Sequence, residues 1–570
     1  MEISRTLAYS ASISCAARLS GALRFYLPAI ICYVGATYFT DAFFMGDTVH
    51  YSNLIINAMA PNFGHLLWLL SGSLIWHVID SVTKGLNDRG TLIAALIAIN
   101  WVSGLICVVV LYDLSLRLSQ QVWVGFLVTT IFVFSQTFLN FVHTGCSYIP
   151  GLAFFLAGLW LVFRQEATGV YNFACAIGSG IAFTISIGLW FPYVLAVPGA
   201  LGSTLLLFGW HARRLRWVLC AFLVWAITAA VFYSFAAMAQ GIYDPYGFIV
   251  WMSESSHGIT SGGFARMVFG FPRSFINMAN DGVLYKRFLL HDAYNPVSLF
   301  DLMRVSLGKF LLFYLLLMLS LGALVRSRQG RRFFAFLVVS GFPVIVFAWF
   351  WQGGDMERYL PLYPALFLSF TCLLSETARR VRVRHTVAVL ALLLIFVNGT
   401  ALSKAAAESR QTAAILRLGE IQLIWKPHSR IATVLTLDDL NAFYWNYPFN
   451  PINLTGILSQ PRGEVPIVFD ILNRNGPDAP RWREMFAAQT IAVWRRGGDM
   501  WVSKEAFSPR PSFDFGWVEG DDPRVSWHDV HQFFLTLETG QSVGGENGFF
   551  LLPPTQHNRE RLAAFSFKEG

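Results

Sequence analysis

Asp41 and Asp47 lie in Asp41-Ala-Phe-Phe-Met-Gly-Asp47-Thr-Val-His50-Tyr51, directly after the first long apolar run of the chain. A charge at a bilayer centre costs roughly 2.5–3.5 kcal/mol even on a lenient insertion scale. Asp47 therefore belongs at or beyond the edge of a membrane. A carboxylate held there can serve as a general base at the height of a lipid headgroup, taking a proton from a hydroxyl within hydrogen-bond reach. The bland alternative is a solvated loop acid. Asp41, closer to the apolar run, is the second candidate for the base. The 7 cysteines form no Cys-x-x-Cys or Cys-x-x-His spacing, so neither a thiolate metal site nor a disulfide framework is supported. No cofactor is expected.

The elements that must position these residues are membrane helices. The chain is 55% hydrophobic and 13% charged, against about a quarter charged in soluble domains. The net charge of +8 does not point to nucleic acid, because the basic residues cluster in short loops between apolar runs. A span needs about 20 apolar residues. Runs that qualify are 25–43, 91–112, 122–142, 147–163, 171–189, 192–210, 217–236, 309–325, 333–351, 360–376 and 386–402. The expected fold is thus an all-α polytopic membrane protein of about eleven transmembrane helices, with a small C-terminal α/β domain outside the membrane.

With the N-terminus cytoplasmic, the inner loops hold Arg117, Arg164, the Arg213–Arg216 and Arg326–Arg332 clusters, and Arg379–Arg384. The short outer loops are nearly free of cations apart from Arg358, as the positive-inside rule requires. Arg5, Arg18 and Arg24 precede the first run without a cleavage site, which reads as an uncleaved signal anchor. The long or polar outer segments are about 44–90, 237–308 and 352–359. Within the first, His65 to Val78 is too short to span and reads as a helix lying in the interface. Tyr51, Trp190 and Phe191 read as interfacial aromatics.

A membrane part at 1–402 is followed by a polar extracytoplasmic domain at 403–570. In it, strands are expected at Ile431–Leu437, Pro466–Leu472, Ile491–Trp494 and Met500–Val502, with a helix at Arg481–Ala488. The last two strands would flank a hairpin turn at Arg495–Asp499. The chain as a whole is placed in the bacterial cytoplasmic (inner) membrane as a multi-pass protein, with the C-terminal domain periplasmic.

Gly46-Asp47-Thr-Val-His50-Tyr51 resembles the first outer loop of glycosyltransferases of the GT-C fold that use polyprenyl-phosphate-linked sugars. That group includes protein O-mannosyltransferases and the lipid A aminoarabinose and galacturonic acid transferases. Pro61-Asn62-Phe63-Gly64-His65-Leu66-Leu67-Trp68 is similar to their Pro/His stretch before the second span. Gln352-Gly353-Gly354-Asp355-Met356-Glu357-Arg358-Tyr359-Leu360-Pro361 resembles their late Arg-Tyr-Leu…Pro loop. Phe141-Val142-His143-Thr144 falls where many of them carry polar substrate-facing residues. The second acid of the family's pair is missing, with Thr48 beside Asp47 and His50 where relatives often have Glu, so a divalent metal is not supported.

The resemblance implies transfer of a sugar from a polyprenyl phosphate donor to a lipid, glycan or protein acceptor, with membrane lipids as surroundings and no nucleic acid. Asp47 would be the general base, and a single displacement would invert the anomeric centre. The leaving phosphate needs fixed cations at headgroup depth; Arg358 and the Lys286-Arg287 pair are the candidates. Asp41, His50, His65, His143, Glu357 and Tyr359 complete the expected substrate-binding set. A transporter or flippase, or a polymerase or ligase of lipid-linked glycans, is the rival reading.

Overall fold

The computed structural model describes residues 15–42, 47–56, 63–83, 89–168, 171–254, 263–278, 288, 291, 296–377, 381–411, 426, 428–433, 467–471, 481–509, 526–543 and 548–565. The chain divides into two compact units. One comprises Met1–Gly282, Met303–Ala406 and Phe449–Leu454; the other comprises Val283–Leu302, Ala407–Pro448 and Thr455–Gly570.

The first unit is helical. It opens with α1 (Cys15–Phe39), α2 (Thr48–Ile56), α3 (Leu66–Thr83) and α4 (Arg89–Ser119). Then follow α5 (Val122–Val133), α6 (Gln136–Phe141), α7 (Tyr148–Thr168), α8 (Phe173–Leu189), α9 (Val197–Phe208) and α10 (Ala212–Ala239). Next come α11 (Pro245–Glu254) and α12 (Phe264–Phe275), then α13 (Leu299–Leu324). Finally α14 (Arg328–Phe350), a 3₁₀ turn at Met356–Leu362, α15 (Tyr363–Thr377) and α16 (Val381–Gln411) complete the set.

Among the described residues, 7 helices are long and apolar enough to cross a membrane: Leu92–Ser119, Tyr148–Glu166, Phe191–Phe208, Ala212–Ala239, Leu299–Leu324, Arg328–Phe350 and His385–Lys404. On α10, Leu219, Leu223, Ile227, Val231 and Phe235 recur every fourth position and all are exposed. Such a stripe fits a lipid-facing helix surface, where every backbone group is satisfied within the segment. The protein is a polytopic membrane protein.

The remaining apolar runs form shorter helices. The run 122–142 is not one helix: it breaks at Phe134-Ser135, where Ser135 Oγ donates to the Phe132 carbonyl at 2.7 Å and α6 starts afresh. The split between 171–189 and 192–210 falls at Trp190. There the chain is extended, and Pro192, which lacks an N–H, enters the first turn of a 3₁₀ segment. The span expected at 309–325 begins earlier, at Leu299. α3 turns Leu66, Trp68 and Leu69 into the core and exposes Leu70, Leu74 and Val78, so apolar side chains stand on both its faces.

Two arginines expected in inner loops are tied into the bundle. Arg214 grips Glu166 with Nε and Nη2 at 2.6 and 2.7 Å. Arg117 Nε lies 2.5 Å from Asp113, whose carboxylate also accepts from Tyr26 and Trp160.

The second unit holds a five-stranded mixed sheet in the order β2-β1-β3-β5-β4. Its strands are β1 (Arg430–Thr433), β2 (Ile467–Asp470), β3 (Met500–Ser503), β4 (Ser542–Val543) and β5 (Phe549–Leu552). β1 pairs parallel with β2 and β3, and β5 pairs antiparallel with β3 and β4. The helices of this unit are α17 (Trp482–Arg495), α18 (Trp527–Leu535) and α19 (Gln556–Ala563).

The strand expected at Ile491–Trp494 is instead the last turn of α17. Phe486, Ala487, Thr490, Val493 and Trp494 are the buried positions, a helical spacing that places one face on the sheet. Arg495–Asp499 is accordingly a helix-to-strand connection, with Gly497 at φ +78°, and not a hairpin. Trp482, Phe486, Phe533 and Phe534 form the aromatic centre of this second core.

Candidate active site

Asp47 sits at the head of α2, where its carbonyl accepts from the Tyr51 N–H at 2.8 Å. The short loop 142–147 is bound to that helix start from the other side. Gly145 N donates to Thr48 Oγ1 at 2.9 Å, Trp68 Nε1 donates to the Gly145 carbonyl at 3.1 Å, and Asn100 Nδ2 donates to the Cys146 carbonyl at 2.7 Å. A Cβ at position 145 would come within 2.8 Å of Thr48 Cγ2 and 3.1 Å of Leu96 Cβ, so only glycine allows this approach. The result is that Tyr148, at the start of α7, faces Asp47, while Ser147 faces His65.

Asp47 Oδ2 accepts from Tyr148 Oη at 2.9 Å and from Tyr51 Oη at 3.2 Å. Behind Tyr51 the chain continues: Tyr51 Oη lies 2.9 Å from His65 Nε2, and His65 Nδ1 lies 2.8 Å from Ser147 Oγ. This row can be protonated in two directions. An ionised carboxylate favours the one ending in a charge-assisted bond: Ser147 donates to Nδ1, Nε2–H donates to Tyr51, and Tyr51 donates to Asp47. Burial keeps His65 in the neutral form that this requires, lowering it to about 4 against the pull of the Asp47 charge. Burial also pushes the Tyr51 phenol well above its ordinary value, so it remains a donor. Among the described residues, Oδ1 of Asp47 accepts no hydrogen bond.

The second charged group comes from the 3₁₀ turn between α14 and α15. Glu357 and Arg358 are both buried there, 6% and 9% exposed. Arg358, expected in a short outer loop at the start of a span, is enclosed there. Its Nη2 donates to Gln352 Oε1 at 3.3 Å and lies 3.6 Å from Asp355 Oδ2. Its Nε is buried without a hydrogen-bond partner among the described residues.

Burial raises Glu357 to about 8; the Asp355 and Asp47 charges add to the rise and Arg358 opposes it. Burial thus favours the protonated, neutral form of Glu357. The charges of Asp47 and Arg358 act on each other and on Glu357, which sets all three in one electrostatic site.

The turn is anchored by close backbone packing. A Cβ on Gly270 of α12 would fall 1.8 Å from the Gly353 carbonyl. Arg273 Nη1 donates to the Gly354 carbonyl at 3.0 Å, and Thr137 Oγ1 to the Met356 carbonyl at 3.1 Å.

Of the expected residues, Asp47, His65, Glu357 and Arg358 come together. Tyr359 is fully buried, with Oη within 2.7 Å of the Gly353 carbonyl and 3.0 Å of the Met267 carbonyl, so its hydroxyl holds the turn. His50 is exposed on α2, its ring 6.0 Å from that of Tyr51. Asp41 and His143 are buried near one another: His143 Nε2 lies 3.1 Å from Thr40 Oγ1, and Asp41 Oδ1 accepts from the Ala42 N–H at 2.8 Å. Lys286, Arg287, Pro61 and Asn62 lie outside the described residues.

Tyr51 and Trp190 are not interfacial anchors. Both are 1% exposed, and Trp190 packs edge-on against Tyr148 at 4.8 Å. Tyr148 and Ser147 are not among the expected site residues, and Gln352 enters the sequence analysis only as part of the late loop. The only signal for the first two was their position after Thr144-Gly145, at the mouth of an apolar run.

No family model matches the chain, and no curated protein matches it. Among solved structures, the chain is similar to ArnT from Cupriavidus metallidurans bound to undecaprenyl phosphate, at a TM-score of 0.49 and 12% identity, over 96% of this chain and 99% of that one. It is also similar to ArnT from Cupriavidus metallidurans in the apo state, at a TM-score of 0.48 and 12% identity, over 97% of this chain and 100% of that one.

Proposed function

We propose that the protein is an integral membrane glycosyltransferase that moves a sugar from a polyprenyl phosphate donor to a lipid, glycan or protein acceptor on the outer face of the membrane. The observation that carries this reading is the state of Asp47: two phenols hold Oδ2 while Oδ1 accepts no hydrogen bond among the described residues, within electrostatic reach of a buried guanidinium. Asp47 takes the proton of the acceptor hydroxyl on Oδ1 as the hydroxyl oxygen attacks the anomeric carbon. The anomeric C–O bond breaks and its electron pair leaves with the lipid phosphate. One displacement of this kind inverts the anomeric centre.

Arg358 meets the charge that grows on the phosphate. An unpartnered buried donor costs about 1–3 kcal/mol, and a phosphate oxygen on Nε would remove that cost. With Glu357 protonated, the carboxylates of Asp47 and Asp355 already face the one guanidinium, and an ionised Glu357 would set a third negative group against the phosphodiester. A neutral Glu357 can also donate a hydrogen bond.

The test is purified protein in nanodiscs with a panel of radiolabelled polyprenyl phosphate sugars and an envelope extract. Label moving into acceptor with consumption of one donor supports the reading; no transfer from any donor in the panel overturns it.

A further inference from the structure

The second unit has a concavity of its own, of about 390 Å³, lined by His428, Arg430, Ala488, Gln489, Ala492, Val493 and Arg496. Its walls come from two elements, β1 and the last turns of α17. The approach to β1 is closely fitted. His428 takes a left-handed backbone at φ +67°, and a Cβ at Gly498 would lie 2.5 Å from the His428 carbonyl. Only glycine at 498 lets the two segments meet. Ser429 Oγ accepts from the Asp499 N–H at 2.8 Å and fixes the same junction.

The lining is cationic without being neutralised. Arg430 Nη1 donates to Gln489 Oε1, a neutral partner. Among the described residues, neither Arg430 nor Arg496 has a carboxylate partner. The nearby acid, Asp499, is paired with Lys426 at 3.2 Å.

A simpler role for Arg496 is to compensate the C-terminus of α17, which it caps. That end carries about half a negative charge; two guanidiniums exceed it severalfold, and Arg430 on the strand is not needed for it. Guanidiniums from separate elements around one hollow are the usual means of gripping a phosphate or carboxylate. The size selects further. Small-molecule sites run from about 300 to 1,000 Å³, so the hollow holds more than a bare anion.

We propose that this hollow binds a phosphorylated sugar, with Arg430 and Arg496 on the phosphate and Gln489 and His428 available to the sugar. The proposal does not rest on the transfer reading, and its failure would leave that reading untouched.

The test is calorimetric titration of the full-length protein in nanodiscs of zwitterionic lipid with glucose 1-phosphate, glucose and inorganic phosphate in turn. The expected result is saturable binding of glucose 1-phosphate, at least tenfold tighter than either glucose or inorganic phosphate. Arg496→Gln, at an exposed position, and Arg430→Gln should each weaken it tenfold or more, with thermal midpoint and monodispersity unchanged in the first. Equal affinity for inorganic phosphate or for glucose overturns the proposal, and so does unchanged affinity in Arg496→Gln. To separate a soluble sugar phosphate from a lipid headgroup, the titration is repeated in nanodiscs containing phosphatidylglycerol. Undiminished binding there supports the sugar phosphate, whereas binding abolished by the anionic lipid identifies the hollow as a headgroup site and overturns the assignment.

Discussion

Tyr148 Oη lies 2.9 Å from Asp47 Oδ2, a contact between residues 101 positions apart. It joins the start of α7 to the head of α2 and engages Oδ2, leaving Oδ1 without a hydrogen bond among the described residues. Hydrogen bonds to charged groups contribute about 1.5–3 kcal/mol. Tyr148→Phe is therefore expected to lower kcat about tenfold or more, with the helical fold intact. Tyr51→Phe, whose bond to Asp47 is longer, should lower it less. Steady-state kinetics on the two variants test this; equal, undiminished kcat in both would remove the phenols from the site.

Glu357 is expected to set the alkaline limb of donor binding. Because burial holds it at about 8, it is neutral below that pH and charged above it. As the pH rises through 8, the site gains a negative charge and the KM for the donor phosphate should rise. Glu357→Gln keeps the shape without the titration and should flatten that limb. A variant with the same alkaline rise in KM would show that another group controls it.

His65 and Glu357 act oppositely on stability. His65 is lowered to about 4 from an ordinary value near 6.5. Between those pH values the unfolded chain binds a proton that the folded chain refuses, so stability falls as pH drops through that window. Glu357 is raised to about 8 from 4.5; between those values the folded chain keeps a proton that the unfolded chain releases, so stability falls as pH rises through that window. Thermal midpoints across pH 4–9 should show a loss at the acid end that His65→Gln removes and one at the alkaline end that Glu357→Gln removes. A pH dependence left unchanged by both substitutions contradicts these assignments.

Much of the site was legible because charge beside apolar sequence is costly and therefore rare. Asp47 and Arg358 draw attention on that ground, and the resemblance of their loops, which also brought in Glu357, made them candidates. Tyr148 and Ser147 do not, since a tyrosine or serine at the mouth of an apolar run looks the same whether it faces lipid or a carboxylate. Trp190 failed likewise: amphipathic aromatics suit a membrane interface, and only packing against Tyr148 puts this one inside. Composition marks apolar runs but not helix length, so the break at Phe134-Ser135, which has neither Pro nor Gly, was invisible. Ile491–Trp494 is too short for its period to be read alone; Phe486 and Thr490 before it decide for helix.

Arg358 is enclosed and therefore matters to both stability and chemistry. Removing one partner from a buried charge network costs about 3–5 kcal/mol, so Arg358→Ala is expected to lower the thermal midpoint as well as turnover. Arg358→Lys keeps the charge but not the fork. It should raise the donor KM at least severalfold with a smaller change in midpoint. Unchanged donor KM in Arg358→Lys would take the guanidinium off the phosphate.

The most direct test is the single-turnover rate of sugar transfer in Asp47→Asn, with donor binding measured on the same preparation. An amide keeps the side chain's shape but cannot take the hydroxyl proton. Loss of a general base typically lowers the rate about 10²–10⁴-fold. The expected result is a loss of that size with donor affinity retained; a near-normal transfer rate in Asp47→Asn would contradict the assignment of Asp47 as the base.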